Sequence, residues 1–413
     1  MYFNNKRKIV NDPVYGFINI VFPLLFDLVE HPYFQRLRRI KQLGLTNLVY
    51  PGANHTRFQH ALGAMHLMGE AIANLRSKGQ DIDEQEALAA LTAILLHDVG
   101  HGPYSHALEK VVVENVSHET LSLMFMQEMN KEFDGQLDLA IDIFCKKHPK
   151  KFLCQLVSGQ LDVDRLDYLR RDSFFTGVTE GIIGSDRIIK MMNVYNDELV
   201  IEAKGIYSIE KFLLARRLMF WQVYLHKTVI AADQLLLSIL DRAKHIIRQG
   251  IDIYTTPALR YFLLDLNNPA LNSDNREIIK NYAMLDDADV SIAIKMWTLH
   301  SDPVLSRLAT DLVNRRLFRI EIQNEQFSLS RLDIVQEQTA KAYCISNEDA
   351  KYFVRSGILV NHPYNCSITE DSILVMQKGG VPVDITVASD LENLFGMSKI
   401  VEKYFLCYPK GLA

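Results

Sequence analysis

A mainly helical body carrying a smaller C-terminal α+β lobe is the fold this sequence predicts, and three patterns predict it. Apolar residues recur at three- and four-residue steps between Thr56 and Lys78 (Phe58, Ala61, Leu62, Met65, Met68, Ile72), the spacing of one buried helix face. Residues 207–250 contain no proline and read as a long helical region. Beyond about residue 310 the period changes to two, with Phe318, Ile320 and Ile322 flanking Arg319 and Glu321, as in a half-buried strand.

In chain order, the first 50 residues mix short apolar runs with turn residues (Asn11-Asp12-Pro13, Pro23, Pro32), and Phe34 to Lys41 is a basic amphipathic helix candidate ending near Gly44. The helix from Thr56 has a plausible stop at Gly79. Asp83 to Leu96 is a second helix, rich in the strong helix formers Ala and Leu, and it runs into His97-Asp98-Val99-Gly100. Further helices are expected around His118 to Asn130 and over about Gln160 to Asp172. A straight helix over 207–250 would be about 66 Å long, so a break or bend is expected there. In the last third, Ile373 to Met376 and Val381 to Val387 read as a hairpin joined around Lys378-Gly379-Gly380. The helical body is assigned to residues 1–275, its core to about 45–185, and the lobe to 276–413.

The 413 residues are 48% hydrophobic, enough for a sizeable core. A net charge of −5 argues against a general nucleic-acid coat protein, although Arg36, Arg38, Arg39 and Lys41 form a local basic run. Cys145, Cys154, Cys344, Cys366 and Cys407 are odd in number and show no Cys-x-x-Cys pair, which reads as reduced thiols. The opening MYFNNKRKIVNDP has no apolar core of a secretory signal, and the apolar runs are shorter than the roughly 20 residues of a membrane span. A soluble, cytoplasmic protein with no membrane partner is the expectation.

Chemistry concentrates in the histidines. Seven of the 13 fall between positions 55 and 118: His55, His60, His66, His97, His101, His106 and His118. Histidine is the commonest metal ligand and a frequent proton carrier. In HDVGHGPYSH, three histidines and an aspartate stand where a helix opens into a Gly- and Pro-containing loop, a place where free backbone N–H groups can meet phosphate.

His60, then His97-Asp98, then Asp164 follow the H…HD…D order of the HD phosphohydrolase superfamily, which this chain resembles. PGANHTRFQHALG (51–63), LLHDVGHGPYSH (95–106) and LDVDRLDYLRRD (161–172) are similar to its deoxynucleoside triphosphate triphosphohydrolase branch, as are NDPVYG (11–16), FQRLRRIKQLG (34–44) and YLHK (224–227). The similarity covers roughly residues 8–250. It includes nothing of the SAM domain that the mammalian member carries.

The resemblance implies an HD-domain helical bundle in which His60, His97, Asp98 and Asp164 bind one divalent metal ion per subunit. Two imidazoles and two carboxylates suit Mn, Fe, Zn, Ni or Co, with Mg also open. It implies His106 as general acid, with Glu109 three residues on to orient it (the family more often has Asp there), and His101 and His118 as phosphate-contacting or proton-transfer groups. Arg57, Arg216, Tyr224 and Lys227 would contact the triphosphate. The last three lie within about 80° of each other on a helical wheel. Phe220 departs from the basic or imidazole residue of the mammalian relative. Tyr168 and Asp172 would lie beside the sugar, where a tight fit excludes a ribose 2′-OH. Val10, Asn11, Asp12, Glu30, Gln35, Arg38 and Gln42 match the region that binds an activating nucleotide between subunits in regulated members. A homo-oligomer, dimer or tetramer, is therefore implied. Glu202-Ala203-Lys204 replaces those members' Arg-x-Lys, so identical regulation is not expected.

The implied reaction is hydrolysis of a dNTP to deoxynucleoside and triphosphate by metal-activated water attack at the α-phosphorus. A different HD-type phosphodiesterase or nucleotide phosphatase would share the metal ligands. A nucleotide- or nucleic-acid-binding protein with little hydrolysis would draw on the basic run, against the acidic overall balance.

Overall fold

A computed structural model describes residues 8–104, 116–264, 275–361, 364, 372–377, 379–390 and 400–412. The structure is mainly α with small sheets. The Arg57–Ser77 helix is its central element and packs against Glu84–Leu96 on one side and Val163–Thr176 on the other. Capping explains where these helices start. Thr56 and Gln59 form a reciprocal box at the first, Asp83 and Glu86 at the second, and Asp162 accepts from the Arg165 N–H at the third. The third ends at Gly177, whose φ of 76° suits a residue without a Cβ.

The expected break after residue 207 falls at Leu225–His226: the Ile206–Met219 helix runs on through a five-residue π-turn, Phe220–Tyr224, and the segment that ends there meets the Lys227–Arg248 helix at 52°. Among the described residues no single helix is long and apolar enough to cross a membrane. Phe34 to Lys41 is not a surface amphipathic helix. It is a short turn of helix (Pro32–Gln35) followed by a 3-10 turn (Arg36–Arg39), because Arg36 points inward and is fully buried.

Four strands that the sequence pattern did not show lie in the body. β1 (Lys8–Asp12) and β2 (Gly16–Ile20) form an antiparallel hairpin, as do β3 (Met192–Tyr195) and β4 (Glu198–Glu202). Helices continue across residue 275 to Val313. In the lobe, β5 (Arg319–Gln323) pairs with β9 (Val401–Tyr408), which also pairs with β6 (Arg355–Asn361). Along β9, Phe405 and Cys407 face the main core, while Leu406 and Tyr408 pack with Phe327 and Val335 in a second small cluster, the alternation a strand imposes. The expected hairpin forms as β7 (Leu374–Met376) and β8 (Pro382–Asp384). Its second strand stops early because Asp384 caps a helical turn, Ile385–Ala388. β7 also pairs in parallel with β4, so lobe and body share one sheet.

Asp233, in the Lys227–Arg248 helix, carries a cost of folding: burial alone pushes its carboxyl up to about 7. A folded-state value above the unfolded one means that this group costs nothing at low pH and that its cost appears as pH rises from about 4 to about 7. Asp233→Asn is expected to add about 1–3 kcal/mol at pH 8 and almost nothing below pH 4. Thermal unfolding across pH checks this, and a gain independent of pH would contradict it.

Candidate metal centre and active site

The Arg57–Ser77 helix delivers His60, the end of Glu84–Leu96 delivers His97 and Asp98, and the first turn of Val163–Thr176 delivers Asp164. Their ligand atoms converge. His60 Nε2 lies 3.4 Å from His97 Nε2, 3.1 Å from Asp164 Oδ1 and 3.7 Å from Asp98 Oδ2. His97 Nε2 lies 3.3 Å from Asp98 Oδ1 and 3.6 Å from Asp164 Oδ1. His60, His97 and Asp164 form the tightest trio, each with a ligand atom within 4.8 Å of the others.

Both imidazoles are held so that Nε2 faces this point. His60 Nδ1 pairs with Asp167 Oδ2 at 2.7 Å, and His97 Nδ1 with the Ile94 carbonyl at 2.6 Å. With the proton on Nδ1, each Nε2 lone pair is free for a cation, the usual outer-shell arrangement of histidine ligands. Gly63 leaves the space this needs. A Cβ there would lie 2.0 Å from Asp167 Oδ1 and 2.2 Å from Arg171 Nη2. The donor set and its bracing fit a divalent ion.

The electrostatics agree. Burial disfavours a charged His60, yet hydrogen bonds to Asp164 and Asp167 outweigh it and push the imidazole up to about 10. Burial opposes charge on His97 too, and the adjacent Asp98 carboxylate overcomes it. Asp164 and Asp98 lie below the usual carboxylate range: burial opposes this, but hydrogen bonding from His60 to the first, and the charge of His97 beside the second, prevail. His101 moves the other way, lowered by burial and by the Arg57 guanidinium. Positive charge is thus favoured where the ligand atoms meet, and a proton and a metal compete for the same lone pairs.

Around this centre, Arg57 is buried and ion-paired with Asp98. His101 stacks on His118 with ring centroids 4.0 Å apart, and its Nε2 lies 3.4 Å from Asp98 Oδ1. Gly100 permits this approach: a Cβ there would lie 2.4 Å from the His118 carbonyl. His106 and Glu109 lie outside the described residues. A polar cleft of about 450 Å³ opens here, lined by His97, Asp98, His118, Lys146, Asp164 and Arg165 among others. Tyr168 meets Tyr224 edge-on at 6.1 Å, and the Tyr224 hydroxyl donates to Asp172 Oδ2 at 2.8 Å. Arg216 Nη1 donates to Gln160 at 3.0 Å, while its buried Nε has no hydrogen-bond partner among the described residues. The π-turn and bend overturn the single-wheel alignment of Arg216, Tyr224 and Lys227. The first two face Tyr168, whereas Lys227 is exposed beyond the bend.

The N-terminal residues separate. Val10 and Asn11 sit on β1, Glu30 pairs with Lys8 at 2.8 Å, and Gln35 Oε1 accepts from Arg38, whose guanidinium stacks on Phe58. The Gln42 N–H donates to the His55 carbonyl. Asp12 does not present a free carboxylate to a ligand. It is buried, with Oδ2 accepting from Arg171 at 2.7 Å.

Four residues outside the predicted ligand, catalytic, substrate and regulatory sets prove central. Asp167 and Arg171 brace His60. His55 Nε2 meets Asp172 Oδ1 at 2.7 Å and its ring stacks on Phe175. Arg36 donates to the carbonyls of Val99, His101, Tyr282 and Leu285, fixing the loop after His97-Asp98. One signal for the first pair was present: six of the ten residues from 163 to 172 are charged, more than one solvated face of a packed helix accounts for.

A helical body that gathers two imidazoles and two carboxylates at the wall of a polar cleft defines a phosphohydrolase of the HD type, and this chain belongs to the HD-domain phosphohydrolase family. Residues 57–172 match the HD domain and residues 183–250 the HD associated region. The chain is similar to a crystal structure of a phosphohydrolase from Bacteroides thetaiotaomicron, with a TM-score of 0.94 and 53% identity over 98% of this chain and 100% of that one. It is 32% identical to the uncharacterised protein YwfO of Bacillus subtilis over 333 residues, 78% of this chain and 74% of that one. It is 31% identical over 241 residues to the deoxynucleoside triphosphate triphosphohydrolase SAMHD1 homologue of Dictyostelium discoideum, covering 54% of this chain and 46% of that protein.

Proposed function

We propose that this protein hydrolyses deoxynucleoside triphosphates to deoxynucleoside and triphosphate, with water attacking the α-phosphorus. The convergence of His60, His97, Asp98 and Asp164 at a polar cleft, with Arg57 paired to Asp98, is the observation that supports this reading. A divalent ion held by these four residues supplies Lewis-acid polarisation of the phosphoryl group and a lowered pKa for water. The chain's own residues do the rest. Arg57 and Arg216 supply the cations that a triphosphate requires, and the unpartnered Arg216 Nε–H is a donor available to a phosphate oxygen. The lowered pKa of His101 keeps it a neutral imidazole, able to hydrogen-bond beside the stacked His118. His106, with Glu109 three residues on in the sequence, is assigned in this proposal as general acid to the leaving oxygen.

Sugar choice follows from rigidity. Both Asp172 oxygens are occupied, one by His55 and one by Tyr224, and Tyr224 in turn packs against Tyr168. A wall held this way cannot retreat to admit an extra hydroxyl.

The test is a product assay. Each dNTP and NTP is incubated with Mn²⁺ or Mg²⁺, with and without dGTP or GTP as activator, and the products are separated by anion exchange. Deoxynucleoside and intact triphosphate are expected, with dNTPs favoured over NTPs by about 10²-fold. Release of nucleoside monophosphate and pyrophosphate, or no dNTP consumption under any activator, contradicts the reading.

A further inference from the structure

Arg171 lies at the middle of a line of charged contacts leading away from the ligand cluster. Its Nε and Nη2 donate to the two oxygens of Asp167 at 2.9 and 3.1 Å, and its Nη1 donates to Asp12 Oδ2 at 2.7 Å. Asp167 accepts in addition from His60 Nδ1 at 2.7 Å. At the far end, Asp12 Oδ1 accepts from the backbone N–H groups of Val14 and Tyr15 at 2.9 and 3.0 Å, the turn joining β1 to β2. His60, Asp167 and Arg171 are fully buried and Asp12 is 7% exposed, so solvent replaces none of these contacts.

We propose that Asp12 and Arg171 are positioning residues of the metal centre, through which the β1–β2 hairpin sets the orientation of His60. This role rests on the metal-centre reading of His60, His97, Asp98 and Asp164. An imidazole ligand must present its lone pair along one direction, and here Asp167 fixes that direction through Nδ1. Asp167 is fixed in turn by the planar fork of Arg171, which binds a carboxylate in two places and so holds its plane as well as its position. Arg171 keeps that pose because Asp12 anchors its third corner. Without Asp12, a buried guanidinium arm loses its partner and the fork turns to find another. Gly63 leaves no slack, since even a Cβ there would lie 2.0 Å from Asp167 Oδ1 and 2.2 Å from Arg171 Nη2. The hairpin is therefore part of the metal site although it contributes no ligand, and whatever displaces the hairpin alters metal affinity.

Metal affinity, independent of turnover, is the measurement. Chelator-stripped protein is titrated with Mn²⁺, free ion is followed by electron paramagnetic resonance, and folding is checked by melting curves. Asp12→Asn and Arg171→Lys are expected to bind Mn²⁺ about tenfold more weakly, and Asp167→Asn about 10–100-fold more weakly. The Asp12→Asn/Asp167→Asn double variant should bind no more weakly than Asp167→Asn, because the contacts act in series. Phe17→Ser, on the exposed face of β2, should bind as the unaltered protein does. Wild-type affinity in folded Asp12→Asn, or losses that multiply in the double variant, would overturn the positioning role. Should Asp12→Asn fail to fold, Arg171→Lys, which keeps the buried charge, decides by the same readout. If the unaltered protein binds neither Mn²⁺ nor Co²⁺, the metal centre itself is refuted, and this role with it.

Discussion

Asp164→Ala is expected to lower kcat/KM by at least about 10³-fold, roughly 4 kcal/mol of transition-state stabilisation, while leaving the fold intact. Both halves of this expectation follow from where Asp164 stands. Its Oδ1 lies within 3.6 Å of both imidazole Nε2 atoms, so its loss removes one of four converging donors. Its side chain is 29% exposed at the mouth of the cleft, in the first turn of its helix, so truncation leaves little cavity. Metal content by mass spectrometry should fall with activity, and the urea midpoint should stay close to that of the unaltered protein. Activity within tenfold of the unaltered protein at saturating Mn²⁺ would remove Asp164 from the ligand set.

Arg36→Ala should have the largest effect on stability, a loss of about 3–5 kcal/mol. The guanidinium is fully buried and donates to four carbonyls from two separate parts of the chain, Val99 and His101 on one side and Tyr282 and Leu285 on the other. Truncation leaves those acceptors buried without a donor. It also releases the loop that carries His101 against His118, so activity should fall even in molecules that stay folded. Equilibrium urea unfolding gives the stability change, and a loss below about 1 kcal/mol would mean that water replaces the guanidinium. The same burial explains why Arg36 is not available to a nucleic-acid backbone, as the basic run it opens had allowed.

The helices that build the site were legible because their signals are local. The apolar spacing around His60, the Asp83 and Glu86 pair ahead of the second helix, and the proline-free run with its anticipated break all act within a few residues of themselves. The four side chains that converge, His60, His97, Asp98 and Asp164, were singled out through a motif order, not through any property of their own surroundings. What sequence could not give was partnership across distance. Asp167 is one more charged residue on a charged helix until His60, 107 positions earlier, lies against it. Arg36 looks like a surface cation until residues 282 and 285 fold over it. The shared wheel of Arg216, Tyr224 and Lys227 failed for a local reason: a π-turn adds about a residue per turn and a bend follows it, which no straight-helix wheel anticipates.

The parallel pairing of β4 with β7 has a consequence for how the chain is made. β4 ends at Glu202, and the strand that covers its edge begins at Leu374. During synthesis at about 5–20 residues per second, the intervening 171 residues take on the order of 10–30 s to emerge, and through that interval Val200, Ile201 and Glu202 lack the strand that pairs with their edge. Such an edge is a template for pairing with another chain. The vulnerable species is thus the unfinished polypeptide, and slowing translation downstream of residue 202 should increase aggregation of nascent chains without altering the finished protein.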